Sequence, residues 1–384
     1  MSMTTSAYIA GAFEHPTRKA TDLAVGRLYA ECIAGALADA GLEHKDIDGF
    51  FCAGDAPGGL LTMVDYLGLK PRHLDSTDFG GSSYIALVSH AAQAIAAGKC
   101  DIALITLAGR PRTEAGPMPF GAPSAPPRPW EPPVNTRLVD LYAMCAQRHM
   151  YEFGTTSEQL AWVKVAASHH AQHNPNAMLR QLVTVEDVLQ SPMVSDPLHR
   201  LDCCVVSDGG GAVIVTRPEI AKKLGRPLVR VKGAGEAMKG QNGGDVDLTY
   251  SGGVASGPIA FDQAGVRPSD IQYASIYDSF TITVLMQLED LGFCEKGQGG
   301  RFVADGNLIS GVGKLPVNTD GGGLCNNHPA NRGGMTKVIE AVRQLRGEAH
   351  PAVQVKDCAL ALAHGTGGWL GSRHGSATLI LERE

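Results

Sequence analysis

The chain has 384 residues, 44% of them hydrophobic, and a formal net charge of −6 at neutral pH. That length covers about two to three ordinary domains or one duplicated one, enough to bury a large core without disulfides or metals. The mild acidity and the lack of a basic run argue against a nucleic-acid partner. No apolar run approaches the roughly 18 residues that cross a bilayer, and the N-terminus does not read as a secretion signal, so a cytoplasmic enzyme with no membrane contact is the expectation.

In chain order, "AYIAGAF" (7–13) reads as a strand, 22–41 as a helix and "IDGFFCAG" (47–54) as a second strand. In "DFGGSSYIALVSHAAQAIAAG" (78–98), two glycines and two serines stand directly ahead of a helical stripe of Ile85, Val88, Ala92 and Ile95. Gly98 stops that helix, and "DIALITLAG" (101–109) reads as a buried strand. Strands alternating with helices indicate a parallel or mixed sheet covered on both faces. From 110 to 136, proline and glycine exclude regular structure, while Phe120 and Trp130 favour packing against a surface. Helices resume at 137–154 and 157–174, and a strand follows the aspartates of "LDCCVVSDGGGAVIVT" (201–216). To about residue 250 this middle part reads as an insertion.

The second part of the chain echoes the first. "ALADAGLEHKDIDGFF" (36–51) returns as "AFDQAGVRPSDIQYAS" (260–275), with Ala36, Ala40, Gly41, Asp46 and Ile47 matching Ala260, Ala264, Gly265, Asp270 and Ile271. Each copy reads helix, Ala-Gly turn, Asp-Ile, then strand. A glycine-rich turn, a helix (333–347) and a strand (357–365) then repeat the order that follows Gly80. Two βαβ halves are expected: 1–255, with the insertion at about 110–250, and 256–384.

These pieces resemble the thiolase superfamily, and within it the sterol-carrier-protein-type branch. The resemblance runs along essentially the whole chain. It is carried by "DIDGFF", "GGSSYIALVSHAAQAIAAGKCDIALI", "LDCCVVSDGGGAVIVT", "YDSFTITVLMQLEDLGF", "NTDGGGLCNNHPANRGG" and "HGTGGWLGSRHGSATLIL". It implies an α/β fold of the duplicated thiolase kind, five layers alternating αβαβα, with an inserted loop domain that helps bind coenzyme A. It also implies a homodimer. Thiolases carry a nucleophilic cysteine at the start of the helix that follows Phe79. Here that position is Gly81, or Ser82 if the register slips by one. A glycine forms no acyl enzyme, and a serine would need a strong base beside it. The family's His-Asp-Cys-Phe box resembles Tyr277-Asp278-Ser279-Phe280, its Gly-His-Pro box keeps His328 and Pro329, and its Cys-x-Gly box resembles "HGTGG", which places His364 where a second cysteine would act.

Tyr277, His328 and His364 suit proton transfer rather than acyl transfer. Backbone N–H groups of Gly81 and Ser82 at a helix start would form an anion hole for a thioester enolate. These parts match a retro-aldol cleavage of an acyl-CoA, which needs no covalent intermediate. Some cysteine-lacking members of the branch are such aldolases and work with a small partner built from a zinc ribbon and an OB fold. A thiolase-type acyltransferase using Ser82 or direct attack by coenzyme A is a second reading, and a non-catalytic acyl-CoA- or lipid-binding subunit a third. No tightly bound cofactor and no metal is expected, with coenzyme A entering as part of the substrate. Plainer roles are expected elsewhere. Ser82 and Ser83 would cap the helix, and the nine cysteines, odd in number and without a CxxC, read as small buried hydrophobes. His169, His170 and His173 would lie on a solvated helix face, and "DGGG" (208–211) and "GQNGG" around Gly240 are weak phosphate-loop signals.

Overall fold

The computed structural model describes residues 7–114, 137–240 and 246–384. Phe120, Trp130 and most of the "GQNGG" stretch lie outside the described residues. The first half contributes β1 (Tyr8–Glu14), α1 (Val25–Ala40), β2 (Gly49–Ala53), α2 (Gly59–Leu67), β3 (His73–Thr77), α3 (Ser83–Ala96) and β4 (Ile102–Gly109). Next come α4 (Leu138–Phe153), α5 (Ser157–Ala171), α6 (Val185–Gln190) and a small hairpin of β5 (Met193–Ser195) and β6 (Leu198–His199). Then follow β7 (Gly209–Thr216), α7 (Pro218–Ala221), β8 (Val229–Lys239), α8 (Gly253–Ala264), β9 (Tyr273–Ile276), α9 (Thr281–Asp290), α10 (Gly299–Val303), α11 (Gly333–Arg346), β10 (Leu360–Gly367) and β11 (His374–Arg383).

The strands run β3-β2-β4-β7-β1 and then β8-β11-β10-β9, the two groups meeting only where Tyr8 pairs with Arg230. The first group has two parallel neighbour pairs (β3–β2, β2–β4) and the second has one (β9–β10), and both have antiparallel pairs toward the middle (β4–β7–β1, β10–β11–β8). An isolated parallel bridge from Ala274 to Val317 stands where β3 stands in the first group. The two halves are therefore the same pattern read from opposite ends. The echo of 36–51 in 260–275 has a matching geometry. α1 and α8 both end on a left-handed glycine, Gly41 (φ 61°) and Gly265 (φ 66°), a conformation that glycine adopts without strain. Each is followed by a short 3₁₀ turn closed by an aspartate, Asp46 or Asp270, that accepts the backbone N–H three residues earlier. β7 and β8, placed within the insertion by the sequence reading, pair with core strands, and β8 lies in the second group. Between β4 and β7 the chain forms α4, α5, α6 and the β5–β6 hairpin.

Three cores fix five layers. α3 and α11 lie between the two strand groups, with Ile85, Leu87 and Val338 packed against Ile105 and Val213 on one side and Ala363 and Leu379 on the other. α1 and α2 cover the outer face of the first group. α8 and α9 cover that of the second, where α4 and α5 of the insertion also pack. α3 was expected to show one apolar stripe. Its residues from Ser83 to Ser89 are all buried, because this part of the helix is enclosed between the two strand groups, and Gln93 and Ala96 reach solvent only toward its end.

Candidate active site

The starts of α3 and α11 meet at one point. A 3₁₀ turn, Gly80–Ser82, leads into α3, and another, Ala330–Arg332, leads into α11. The approach is so close that a Cβ on Gly334 would collide with the Gly81 carbonyl oxygen. The first-turn N–H groups of both helices, which have no partner inside the helix, thus converge with the positive ends of both dipoles.

Tyr277 follows β9 and lies against this junction, 5% exposed. A Cβ on Gly81 would lie 2.6 Å from Tyr277 Cζ and 2.6 Å from the Thr366 carbonyl oxygen. The phenol ring therefore fills the space that a side chain at position 81 requires. Its hydroxyl donates to the Ala330 carbonyl at 3.0 Å. Burial, with Cys204, Tyr142 and Asp278 adding to it, raises the phenol well above its ordinary value of 10, so it stays protonated. Cys204 is itself pushed up by burial, so this thiol is no ready nucleophile.

His328 meets Tyr277 edge to face, ring centroids 5.4 Å apart. Its Nε2 is buried and has no hydrogen-bond partner among protein groups. Burial first of all holds the imidazole down at about 4, so it is neutral near pH 7. The backbone behind it is pinned. His328 N–H donates to Ser207 Oγ at 2.8 Å, that hydroxyl donates to Asn327 Oδ1 at 2.7 Å, and Asn327 Nδ2 donates to Glu14 Oε1 at 2.8 Å. Sequence reasoning did not single out Ser207, Asn327 or Glu14; they come together only through long-range packing.

Tyr277, His328, Gly81 and Ser82 are thus one cluster, and His364 is not part of it. Strand residues alternate faces. Ala361 and Ala363 of β10 face the central helices, while Leu362 faces the outer layer, and His364 shares Leu362's face. There its Nδ1 lies 2.8 Å from Thr378 Oγ1 and its Nε2 3.4 Å from Ser376 Oγ, with Ser256 Oγ bonded to both hydroxyls. The residue of β10 that faces the helix junction is Gly365, whose Cβ would lie 3.0 Å from Ser82 Cα. Ser82 is fully buried, and its hydroxyl donates to the Phe79 carbonyl at 2.6 Å. Ser83 Oγ accepts Phe79 N–H at 2.9 Å. Both serines secure the turn, and Ser82 reaches the site only through its backbone. His170, expected on a solvated face, is buried: Ser310 N–H donates to its Nε2 at 2.9 Å, and its Nδ1 faces the Asn318 carbonyl at 3.2 Å. His173 stacks instead on His350.

Two cavities flank the cluster. One of about 610 Å³ is lined by Arg180, Arg200, Ser191 and Leu201 of the insertion and reaches Cys325 in the turn before His328. The other, of about 760 Å³, opens at Gly80 and Asn331 between the ends of β8 and β11, with Phe79, Ala237 and Met238 in its wall.

A curated relative, an acetyl-CoA acetyltransferase of Methanothermobacter thermautotrophicus, is 35% identical over 362 residues, covering 90% of this chain and 92% of its own. The chain belongs to the thiolase superfamily. The family model described as thiolase C-terminal domain-like matches residues 235–383, from within β8 to the end of β11. A steroid side-chain-cleaving aldolase of Thermomonospora curvata is 36% identical over 339 residues, 84% of this chain and 85% of its own. The solved structure titled Ltp2-ChsH2(DUF35) aldolase superposes with a TM-score of 0.89 at 33% identity, covering 99% of this chain and 98% of that one. Membership therefore extends to the aldolase-like branch, and the five layers are the duplicated thiolase fold. Relatives named as an acyltransferase and as an aldolase are equally similar, so the choice between these chemistries rests on the residues of the site.

Proposed function

We propose that this thiolase-like enzyme is a retro-aldol lyase for a β-hydroxyacyl-CoA thioester. One observation carries the choice of lyase over acyl transfer: the Tyr277 ring occupies the volume of a side chain at position 81, so no nucleophile acts there. In the reaction, neutral His328 takes the β-hydroxyl proton as the bond between the α- and β-carbons breaks. The electron pair passes to the thioester oxygen, and the resulting enolate lies against the Gly81 and Ser82 N–H groups. Tyr277, protonated throughout the neutral range, gives its proton to the α-carbon, and the phenolate takes one back from solvent as His328 releases its own. The protons balance, one lost from the hydroxyl and one gained by the α-carbon, and a carbonyl compound and a shortened acyl-CoA leave. No acyl enzyme forms. His364, on the far face, takes no part in these steps.

The arginine-lined cavity of the insertion supports entry of the coenzyme A phosphates there. The cavity at Gly80 and Asn331 supports an acyl group lying on the opposite side of the Tyr277–His328 pair. Two assembly features belong to the same reading. β3 is an edge strand with unpaired backbone groups, which supports a homodimer. A small zinc-ribbon/OB-fold partner is supported by the solved neighbour, whose title pairs it with ChsH2(DUF35). Among the described residues no helix is long and apolar enough to cross a membrane. The deciding experiment incubates the protein, alone and with a co-expressed DUF35-type partner, with a steroid side-chain β-hydroxyacyl-CoA. Release of a ketone together with a shortened acyl-CoA is expected, and Tyr277→Phe and His328→Gln should each lower kcat by about 10²–10⁴-fold. An acylated protein detected by mass spectrometry, or full activity in both variants, would overturn the proposal.

A further inference from the structure

His328 stands on a buried charged framework that the proton-transfer chemistry leaves unused. Lys337, in the second turn of α11, is 2% exposed, and its Nζ donates to Asp278 Oδ1 at 2.7 Å. The same carboxylate accepts the N–H groups of Gly323 at 2.8 Å and Leu324 at 3.1 Å. These belong to a single π-type turn, Gly322–Asn326, that ends two residues before His328. Asp320 holds the other end, accepting Gly322 N–H at 2.9 Å and Asn326 Nδ2 at 2.9 Å. Lys164 of α5, also buried, donates to the Leu324 carbonyl at 2.6 Å. The turn backs directly onto the imidazole: a Cβ on Gly323 would lie 3.0 Å from His328 Cδ2. An ammonium in the middle of a central helix is costly to desolvate, and an apolar residue there would pack without that cost. Residue 337 is therefore chosen for something other than stability.

We propose that Lys337 is a positioning residue for the proton-transfer pair, acting through Asp278 to fix the Gly322–Asn326 turn and with it the place of the His328 ring against Tyr277. The inference rests on the reading of His328 as proton acceptor for its activity arm only. The groups that face His328 are Tyr277 and Asp278 from the end of β9, Lys337 from α11 and the Ser207 hydroxyl from the segment before β7. Burial disfavours the imidazolium, Asp278 favours it, and Lys337 disfavours it. Without Lys337, the Asp278 carboxylate faces the imidazole unopposed, and the ring takes up its proton at higher pH.

The test uses the full chain with Lys337→Met and Lys337→Arg, histidine-labelled for NMR titration, the His328 signal being assigned with His328→Gln. In Lys337→Met the His328 midpoint is expected to rise by about one pH unit or more, with the acid limb of kcat/KM following it. The kcat should fall about tenfold or more with KM within about threefold, and Lys337→Arg should recover part of both. An unmoved His328 titration in folded Lys337→Met overturns the inference. A shifted titration with an unshifted pH–rate profile upholds the positioning role and removes His328 from proton transfer instead. If Lys337→Met does not fold, the double variant Asp278→Asn/Lys337→Met replaces it. That variant should speed amide exchange of Gly323 and Leu324 by about tenfold, and unchanged exchange overturns the inference.

Discussion

Replacing Gly81 with alanine adds one methyl group at the centre of the site. That carbon would stand 2.6 Å from Tyr277 Cζ and 2.6 Å from the Thr366 carbonyl oxygen. Ordinary carbon contacts lie at about 3.5–4.0 Å, so the ring must retreat by roughly 1 Å. The Thr366 oxygen is backbone within β10 and has little freedom to follow. Overpacking of this kind costs about 1–3 kcal/mol, and a reacting group misplaced by about 1 Å loses on the order of 10²-fold in rate. The substitution is therefore expected to lower the unfolding free energy by about 2 kcal/mol in urea titration and kcat by on the order of 100-fold in an assay of carbonyl release. Removing the ring should relieve part of the clash. In a double-mutant cycle, Gly81→Ala should cost about 1 kcal/mol less in a Tyr277→Ala background than alone. The remainder stays with Thr366. A Gly81→Ala enzyme with unchanged stability and unchanged kcat would show that the ring does not fill this space and would remove the main support for non-covalent chemistry.

Ser82→Ala should leave kcat within about threefold and cost about 1 kcal/mol, because the hydroxyl is committed to the Phe79 carbonyl; a loss of activity of about 100-fold would restore Ser82 as a nucleophile. His364→Gln should lower the melting temperature while kcat/KM stays within about threefold, since its ring bonds Thr378 and Ser376 on the far face of β10; a collapse of kcat in a folded variant would contradict this placement. Acid should destabilise the fold. Burial chiefly holds His328, His374 and His170 down at about 4 and His364 at about 3. The unfolded chain binds those protons first, so stability is lost as pH falls from about 6.5 through about 4, by up to about 1.4 kcal/mol per unit for each histidine. Glu340, raised to about 7 chiefly by burial, works against this, its contribution being present below about 4.5 and lost as pH rises through 7. His173, also held down by burial, joins the four histidines, while His90, raised chiefly by its hydrogen bond to Glu236, and Asp320, Asp290 and Asp202, raised chiefly by burial, act with Glu340. The four histidines held at about 3 to 4 begin to lose their contribution already near pH 6.5, so the urea midpoint should be lower at pH 5 than at pH 7, and an equal or higher midpoint at pH 5 would refute the account.

The duplication was legible because Ala40-Gly41 and Ala264-Gly265 mark the same local event, a helix stopped by a left-handed glycine ahead of an aspartate-closed turn. Gly81 and Tyr277 were legible as positions in motifs of the family, but not their mutual fit, which is a contact between residues almost 200 positions apart. The placement of His364 turned on register. In a strand, a shift of one residue exchanges the two faces, and "HGTGG" admits both choices. Reading the Cys-x-Gly box as Gly365-Thr366-Gly367 puts the facing residue where the structure has it. The pairing of β7 and β8 with core strands was not legible, because it joins segments far apart in the chain. Lys337 left one trace. It is a charge in "GGMTKVIEAV", a helix that the structure places at the centre of the fold, where solvent cannot receive it.

The mutual exclusion of a residue-81 side chain and the Tyr277 ring also constrains how such a protein could have descended from one that used sulfur. A thiol at 81 with the phenol present is blocked by collision, and glycine at 81 without the aromatic leaves a void and no proton donor. Each intermediate is worse than either endpoint, so the two positions are expected to switch in concert across related chains, and reinstalling cysteine alone would not bring the older chemistry back.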